Sequence, residues 1–131
     1  MTEGQGALPH GQLPGSLELA YLGDALYDLY VRRRLLKSGE HVGKLHAQAV
    51  KVVCAHAQAQ ALGRVEGLFT EEEKNVARRA RNAHQTPSKN ADIAEYHRAT
   101  ALEAVLGYLY LTGQQQRLDQ IMRLILEGAK E

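Results

Sequence analysis

Leu17 to Leu36 reads LELAYLGDALYDLYVRRRLL, and the step Tyr21-Leu22-Gly23-Asp24-Ala25 is its irregularity. Wound as a helix, the stretch places Asp24 in a row with Leu17, Ala20, Tyr21, Tyr27, Asp28 and Val31. Leu19, Leu22, Leu26, Leu29 and Tyr30 occupy the other side, so the helix is apolar nearly all round and is expected at the centre of the fold, with Asp24 at least partly buried. A buried carboxylate loses hydration worth several kcal/mol and needs a cation, a cluster of donors or a proton. Gly23 costs about 1 kcal/mol relative to Ala in a helix interior, and its missing side chain is expected to open space beside Asp24. Two unfavourable choices side by side mark a site.

The rest of the chain supports that helix. At 131 residues it forms one domain, with a loose arm over residues 1–16, where Gly4, Gly6, Pro9, Gly11, Pro14 and Gly15 fall, and a folded unit over 17–128. Sixteen Lys and Arg against 15 Asp and Glu leave a net charge of +1, which excludes a generally basic nucleic-acid binder and directs attention to local charge. The single Cys54 cannot form an internal disulfide and reads as a small buried hydrophobe, consistent with a cytoplasmic home. The sequence has neither a membrane span of roughly 18 apolar residues nor a secretory leader, so no membrane partner is expected.

Ser16 is placed to cap the central helix, which stops near Ser38-Gly39 behind Arg32, Arg33, Arg34 and Lys37. Apolar spacing predicts a second helix from about Val42 to Leu62, ended by Gly63. His41, His46 and His56 lack the spacing of paired metal ligands and read as structural or solvent-facing. Thr70 and Glu73 form a capping box that opens an acidic-to-basic helix. Arg78, Arg79, Arg81, Asn82, His84, Lys89 and Asn90 follow, running past Pro87-Ser88 into a basic loop. The helical part matches its own dipole, whereas the loop is the better candidate for phosphate contact. No aromatic residues are interleaved with it, so it suits a duplex backbone rather than a stacked single strand.

A further helix from about Asp92 to Leu111 repeats the first irregularity, with Glu103 among Tyr96, Ala99, Thr100, Leu106, Gly107 and Tyr110. Leu118, Ile121, Met122 and Ile125 form the stripe of a last helix. No segment alternates with a period of two, so the fold is all-α with about five main helices. Asp24 and Glu103 would converge if their helices packed together. Two such carboxylates share a proton, bind a divalent cation, or pair with an arginine such as Arg98. An all-oxygen set suits Mg²⁺ or Mn²⁺, and a metal beside a basic loop points to phosphodiester chemistry, while ion pairing inside a bundle is the structural alternative. Spacing alone does not choose between them.

YLGDALYDLYVR resembles the signature helix of the ribonuclease III family, and LEAVLGYLYL resembles that family's second acidic motif. RRARNAHQTPSKNADIAEYHRATALEAVLGYLYL is similar to the Mini-III branch, a nuclease domain without a double-stranded RNA-binding domain, and with only about twenty residues beyond the second motif no such domain is expected here. The resemblance implies a ribonuclease III-type helical endonuclease domain and gives Asp24 and Glu103 the catalytic, metal-binding roles. Where the family signature has further acids, this sequence has Leu17, Ala20 and Thr100, so two protein carboxylates per subunit and one ion are expected. Thr100, Asp28 and Arg98 remain secondary candidates. The resemblance further implies a homodimer cutting opposite strands of an RNA duplex, leaving 5′-phosphate and 3′-hydroxyl ends. The substrate it implies is the precursor of 23S ribosomal RNA, and a ribosomal protein is a possible partner in presenting it. The alternative is a catalytically silent helical module that binds RNA or the ribosome.

Overall fold

A computed structural model of the chain describes residues 12–83 and 92–128. Those residues form six main helices and no strand: α1 (Ser16–Leu35), α2 (Val42–Val53), α3 (Ala55–Val65), α4 (Glu71–Arg81), α5 (Ile93–Leu111) and α6 (Gln115–Gly128). Short 3-10 turns follow α1 at Leu36–Ser38 and α3 at Glu66–Leu68. Most of the arm expected over residues 1–16 lies outside the described residues.

The helix expected from Val42 to Leu62 is two helices, which raises the count from about five to six. Cys54 is extended (φ −69°, ψ 160°) and separates α2 from α3. The break has a packing cause. An unbroken helix over this span would be roughly 30 Å of straight rod, whereas the corner lets α2 lie on α1 while α3 lies on α5. Cys54 is exposed at that corner rather than buried. Gly63 lies inside α3, which continues to Val65.

Two helix ends follow the expected chemistry and one departs from it. Gly39 is left-handed (φ 73°) and closes the turn after α1. At α4 the Thr70 hydroxyl accepts from the Glu73 amide at 3.2 Å, and the Glu73 carboxylate accepts from the Thr70 amide at 2.9 Å. At α1, Gly15 rather than Ser16 is the cap, because Gly15 already has the extended backbone the position requires (φ −68°, ψ 172°).

Glu73 also belongs to the core, where it is 2% exposed and is held by Arg117 at 2.9 Å. Burial pushes its carboxyl up, but hydrogen bonds from Arg117 and Thr70 outweigh burial and hold it below the usual range. The same Arg117 nitrogen, Nη2, also donates to the Leu68 carbonyl at 2.7 Å, tying α6 to the segment before α4.

The centre is the crossing of α1 and α5. Leu102, Val105, Leu106 and Leu109 of α5 are fully buried, as are Leu118, Ile121, Met122 and Ile125 of α6. Two glycines set the crossing distance. A Cβ on Gly23 would lie 1.7 Å from the Glu103 carbonyl oxygen, and one on Gly107 would lie 2.1 Å from that of Leu19. Gly23 therefore does not open free space beside Asp24; the α5 backbone fills it. Nor is α1 buried all round. Leu19, Ala20, Gly23, Leu26, Tyr27, Tyr30 and Val31 face inward, while Tyr21 is 84% and Leu29 60% exposed.

Candidate active site

The α1/α5 crossing brings Asp24 and Glu103 together, with their carboxyls in hydrogen-bonding contact. Their environments differ. Asp24 is exposed, not partly buried as its row suggests, because only Ala20, Tyr27 and Val31 of that row reach the core, while Asp24 lies at its open edge with Tyr21 and Ala25. Glu103 is the half-buried member. Burial pushes its carboxyl up to about 9, the hydrogen bond and the charge of Asp24 push the same way, and hydrogen bonding from Gln58 pulls against them. Among protein groups alone, Glu103 thus holds a proton at neutral pH and donates it to Asp24.

The basic side chains nearest in the fold are committed elsewhere. Arg98 reaches Glu66 at 3.6 Å and the Ala59 carbonyl at 3.5 Å, and Arg64 donates to the Ile125 carbonyl at 3.2 Å. Two hard oxygens in contact, one on an open surface, fit a small divalent cation, which would relieve the repulsion that now keeps the Glu103 proton in place. No cluster of three or more His, Cys, Asp or Glu occurs among the described residues, so the protein would contribute two acids and leave the other positions to water and phosphate oxygens.

Of the secondary candidates, Asp28 forms an i,i+4 pair with Arg32 at 3.0 Å, one turn along α1 from Asp24. Thr100 is buried one turn before Glu103 and donates to the Tyr96 carbonyl at 2.9 Å. In the basic segment Arg78 and Arg79 are exposed on α4. Arg81 pairs with Glu66 at 3.6 Å, and Asn82 ends the helix. His84, Lys89 and Asn90 lie outside the described residues. His56 is largely exposed and contacts Glu95.

Two residues of the site carry no signal of their own in the sequence. Tyr27, a turn beyond Asp24, is 1% exposed and donates to the Val52 carbonyl at 3.2 Å. Burial pushes its phenol up to about 12, with Arg64 pulling the other way, so it stays a donor at any physiological pH. Gln58 is buried on α3 within an Ala-rich run, where it looks like one more helix former. The only hint available was its polarity inside an apolar stripe.

Residues 17–114 match the Ribonuclease III domain, and the chain belongs to the ribonuclease III family, in its Mini-III branch. It is 50% identical over 110 residues to the Mini-ribonuclease 3 of Symbiobacterium thermophilum, covering 82% of this chain and 84% of that one. It is 40% identical over 126 residues to the Mini-ribonuclease 3 of Staphylococcus aureus, covering 93% and 94%. An X-ray structure of a Fusobacterium nucleatum protein superposes with a TM-score of 0.80 at 31% identity, over 88% of this chain and 93% of that one. The chain is accordingly an endoribonuclease, of a family that is generally divalent-metal dependent. None of its described helices is long and apolar enough to cross a membrane.

Proposed function

We propose that Asp24 and Glu103 form the active site of a Mg²⁺-dependent endonuclease, with Mn²⁺ able to substitute, that cuts double-stranded RNA to 5′-phosphate and 3′-hydroxyl ends. The observation that carries this reading is the meeting of two acids 79 positions apart on different helices, one of them held protonated by burial and by its neighbour. A purely structural role would be served better by apolar residues of the same size. A bound divalent ion supplies activation of water and stabilisation of the leaving oxygen. Asp24, on the surface, meets the substrate side. Glu103 releases its proton when its carboxylate becomes a ligand. Beneath the acids, Tyr27 ties α1 to the end of α2 through the Val52 carbonyl, and Thr100 bonds back within α5 to the Tyr96 carbonyl.

The working form is a homodimer in the cytoplasm. Tyr21, Leu29, Leu36 and Val42 are all at least 60% exposed on α1, the turn after it and the start of α2, an apolar strip that a second copy would cover. The family resemblance supplies the biological substrate, precursor 23S ribosomal RNA, which a ribosomal protein would help present. A-form duplex is read by shape through its 2′-hydroxyls and phosphates. Arg78, Arg79 and Arg81, continued by Asn82, His84, Lys89 and Asn90, supply the phosphate contacts.

The deciding experiment is cleavage of a long RNA duplex with Mg²⁺ by the native chain and by Asp24→Asn, each checked for folding by circular dichroism. Cutting by the native chain, lost on the order of 10²–10³-fold in the variant, is the expected result. A native chain that binds duplex without cutting it would instead make this a silent RNA-binding module. In the same assay format, replacing Arg78, Arg79 and Arg81 by Ala is expected to weaken duplex binding and reduce the slope of log affinity against log salt by about two. An unchanged slope would remove those arginines from the interface.

A further inference from the structure

Where the C-terminal end of α1 approaches the last part of α6, four cations line one groove: Arg33, Arg34 and Lys37 from α1 and the turn after it, and Arg123 from α6. The acid pair gives them no task. Arg33, Lys37 and Arg123 are exposed and Arg34 is half-buried. The neighbouring Arg32 is committed to Asp28 at 3.0 Å, whereas none of the four forms an ion pair among the described residues. Arg33 lies over the Tyr30 ring, 4.7 Å from its centre. Tyr30 is itself fixed, donating to Asp119 and accepting from the Gln115 amide at 2.9 Å, so one wall of the groove is held in place. Asp119 and Glu127 also line it, which leaves four cations against two acids, a local excess of two in a chain whose net charge is +1.

Cations at a helix C-terminus complement its dipole, and that alone would account for the three at the end of α1. It does not account for Arg123, which stands before the last turn of a different helix. The apolar members of the groove are Tyr30, 7% exposed, and Leu126, 8%, so an occupant would find charge there and almost no apolar area. An acidic peptide needs apolar area to seat its anchoring side chains. A phosphate backbone needs only the charge, and guanidinium groups match phosphate oxygens in geometry. We propose that this groove is a second RNA-binding surface, which takes phosphates from a part of the substrate remote from the cut. Arg33 follows Asp24 by nine positions, or two and a half helical turns, so it faces away from the acid across α1 and lies about 13 Å further along it. A short duplex lying on the acids does not meet the groove, whereas another arm of a larger, branched RNA does. The role of the groove depends on RNA being the substrate class of the family and not on Asp24 or Glu103.

The test is binding of a branched RNA with several duplex arms to the full chain in EDTA, read by fluorescence anisotropy over a series of salt concentrations. The native protein is compared with Arg123→Ala and with a triple variant, Arg33→Ala, Lys37→Ala and Arg123→Ala, each with a melting curve. The triple variant is expected to bind about tenfold more weakly, with the slope of log affinity against log salt reduced by about two to three. Arg123→Ala alone should reduce that slope by about one. Arg123 has no part in the dipole of α1, so its variant keeps the answer readable if the triple variant melts low. Cleavage of a duplex one turn long, with Mg²⁺, should keep its native rate in both variants. Native affinity and slope in the folded variants would overturn the assignment. In that case a poly-glutamate peptide that binds the native chain and not the variants would give the groove to an acidic protein, and a peptide that binds neither would reduce the cations to complements of the helix ends. A native chain that binds the branched RNA with the slope set by the groove, yet cuts no duplex, would remove the cleavage reading and leave the second surface standing.

Discussion

Replacing Glu103 by Gln is expected to abolish cleavage and, in EDTA at pH 8, to raise the melting temperature. The two effects have one cause. Burial and the adjacent Asp24 hold the Glu103 carboxyl at about 9, against an ordinary 4.5. The folded chain thus keeps a proton that the unfolded chain releases. Stability from this group is fully present below about pH 4.5 and is lost as pH rises toward and through 9. Glutamine imitates the protonated acid in shape and charge and does not titrate. The native chain should therefore lose on the order of a few kcal/mol between pH 5 and pH 8 that the variant retains, visible as a gap of about 5 °C or more between their melting temperatures at pH 8. At pH 5 the gap should close. On the proposed reading of Glu103 as the second anionic ligand, cleavage falls by on the order of 10²–10³-fold, because an amide cannot replace the carboxylate. Parallel melting curves at both pH values would mean that Glu103 carries no proton in the fold.

Gly23→Ala is the second large expectation, a loss of at least about 4 kcal/mol, seen as failure to fold or a steeply lowered denaturation midpoint. Helix propensity predicts the opposite sign, since Ala gains about 1 kcal/mol over Gly within a helix. Sterics decide the matter. The new Cβ would lie 1.7 Å from the Glu103 carbonyl oxygen, and its obstacle is main chain held by the ladder of α5, not a side chain that can swing away. The helices would have to separate, opening the core beneath them and parting the two acids. Gly67 provides the control, because a Cβ there meets nothing within 4 Å, and Gly67→Ala should be close to neutral. Equal behaviour of the two variants would mean that α1 and α5 do not cross at Gly23.

The helices were legible where local chemistry decides them. Thr70 with Glu73 announces α4, Gly39 closes the turn after α1, and the apolar stripe of α6 falls where its spacing puts it. Legibility failed where a distant element decides. The apolar pattern runs on through Cys54, and only the need to cover both α1 and α5 bends the chain there. The irregularity of Gly23-Asp24 was visible, but its cause lies in Glu103, on another helix. For the same reason the burial of the two acids came out reversed for Asp24. Periodicity identifies an apolar face, and it does not say which part of that face the rest of the chain covers. Gln58 illustrates the same limit, since its partner, the Val53 carbonyl, is freed only by the corner that periodicity missed.

The glycine crossing has a consequence for how the enzyme can vary. Where two helices are held apart by leucines, every change of core volume alters their spacing. At this crossing the spacer is peptide backbone on both sides, Gly23 against Glu103 and Gly107 against Leu19. The span between the acids is thereby uncoupled from the size of the surrounding side chains, like a gauge cut into the frame rather than into its filling. Substitutions among Leu102, Val105 and Leu106 can make the protein hardier or more fragile without changing the separation of Asp24 and Glu103.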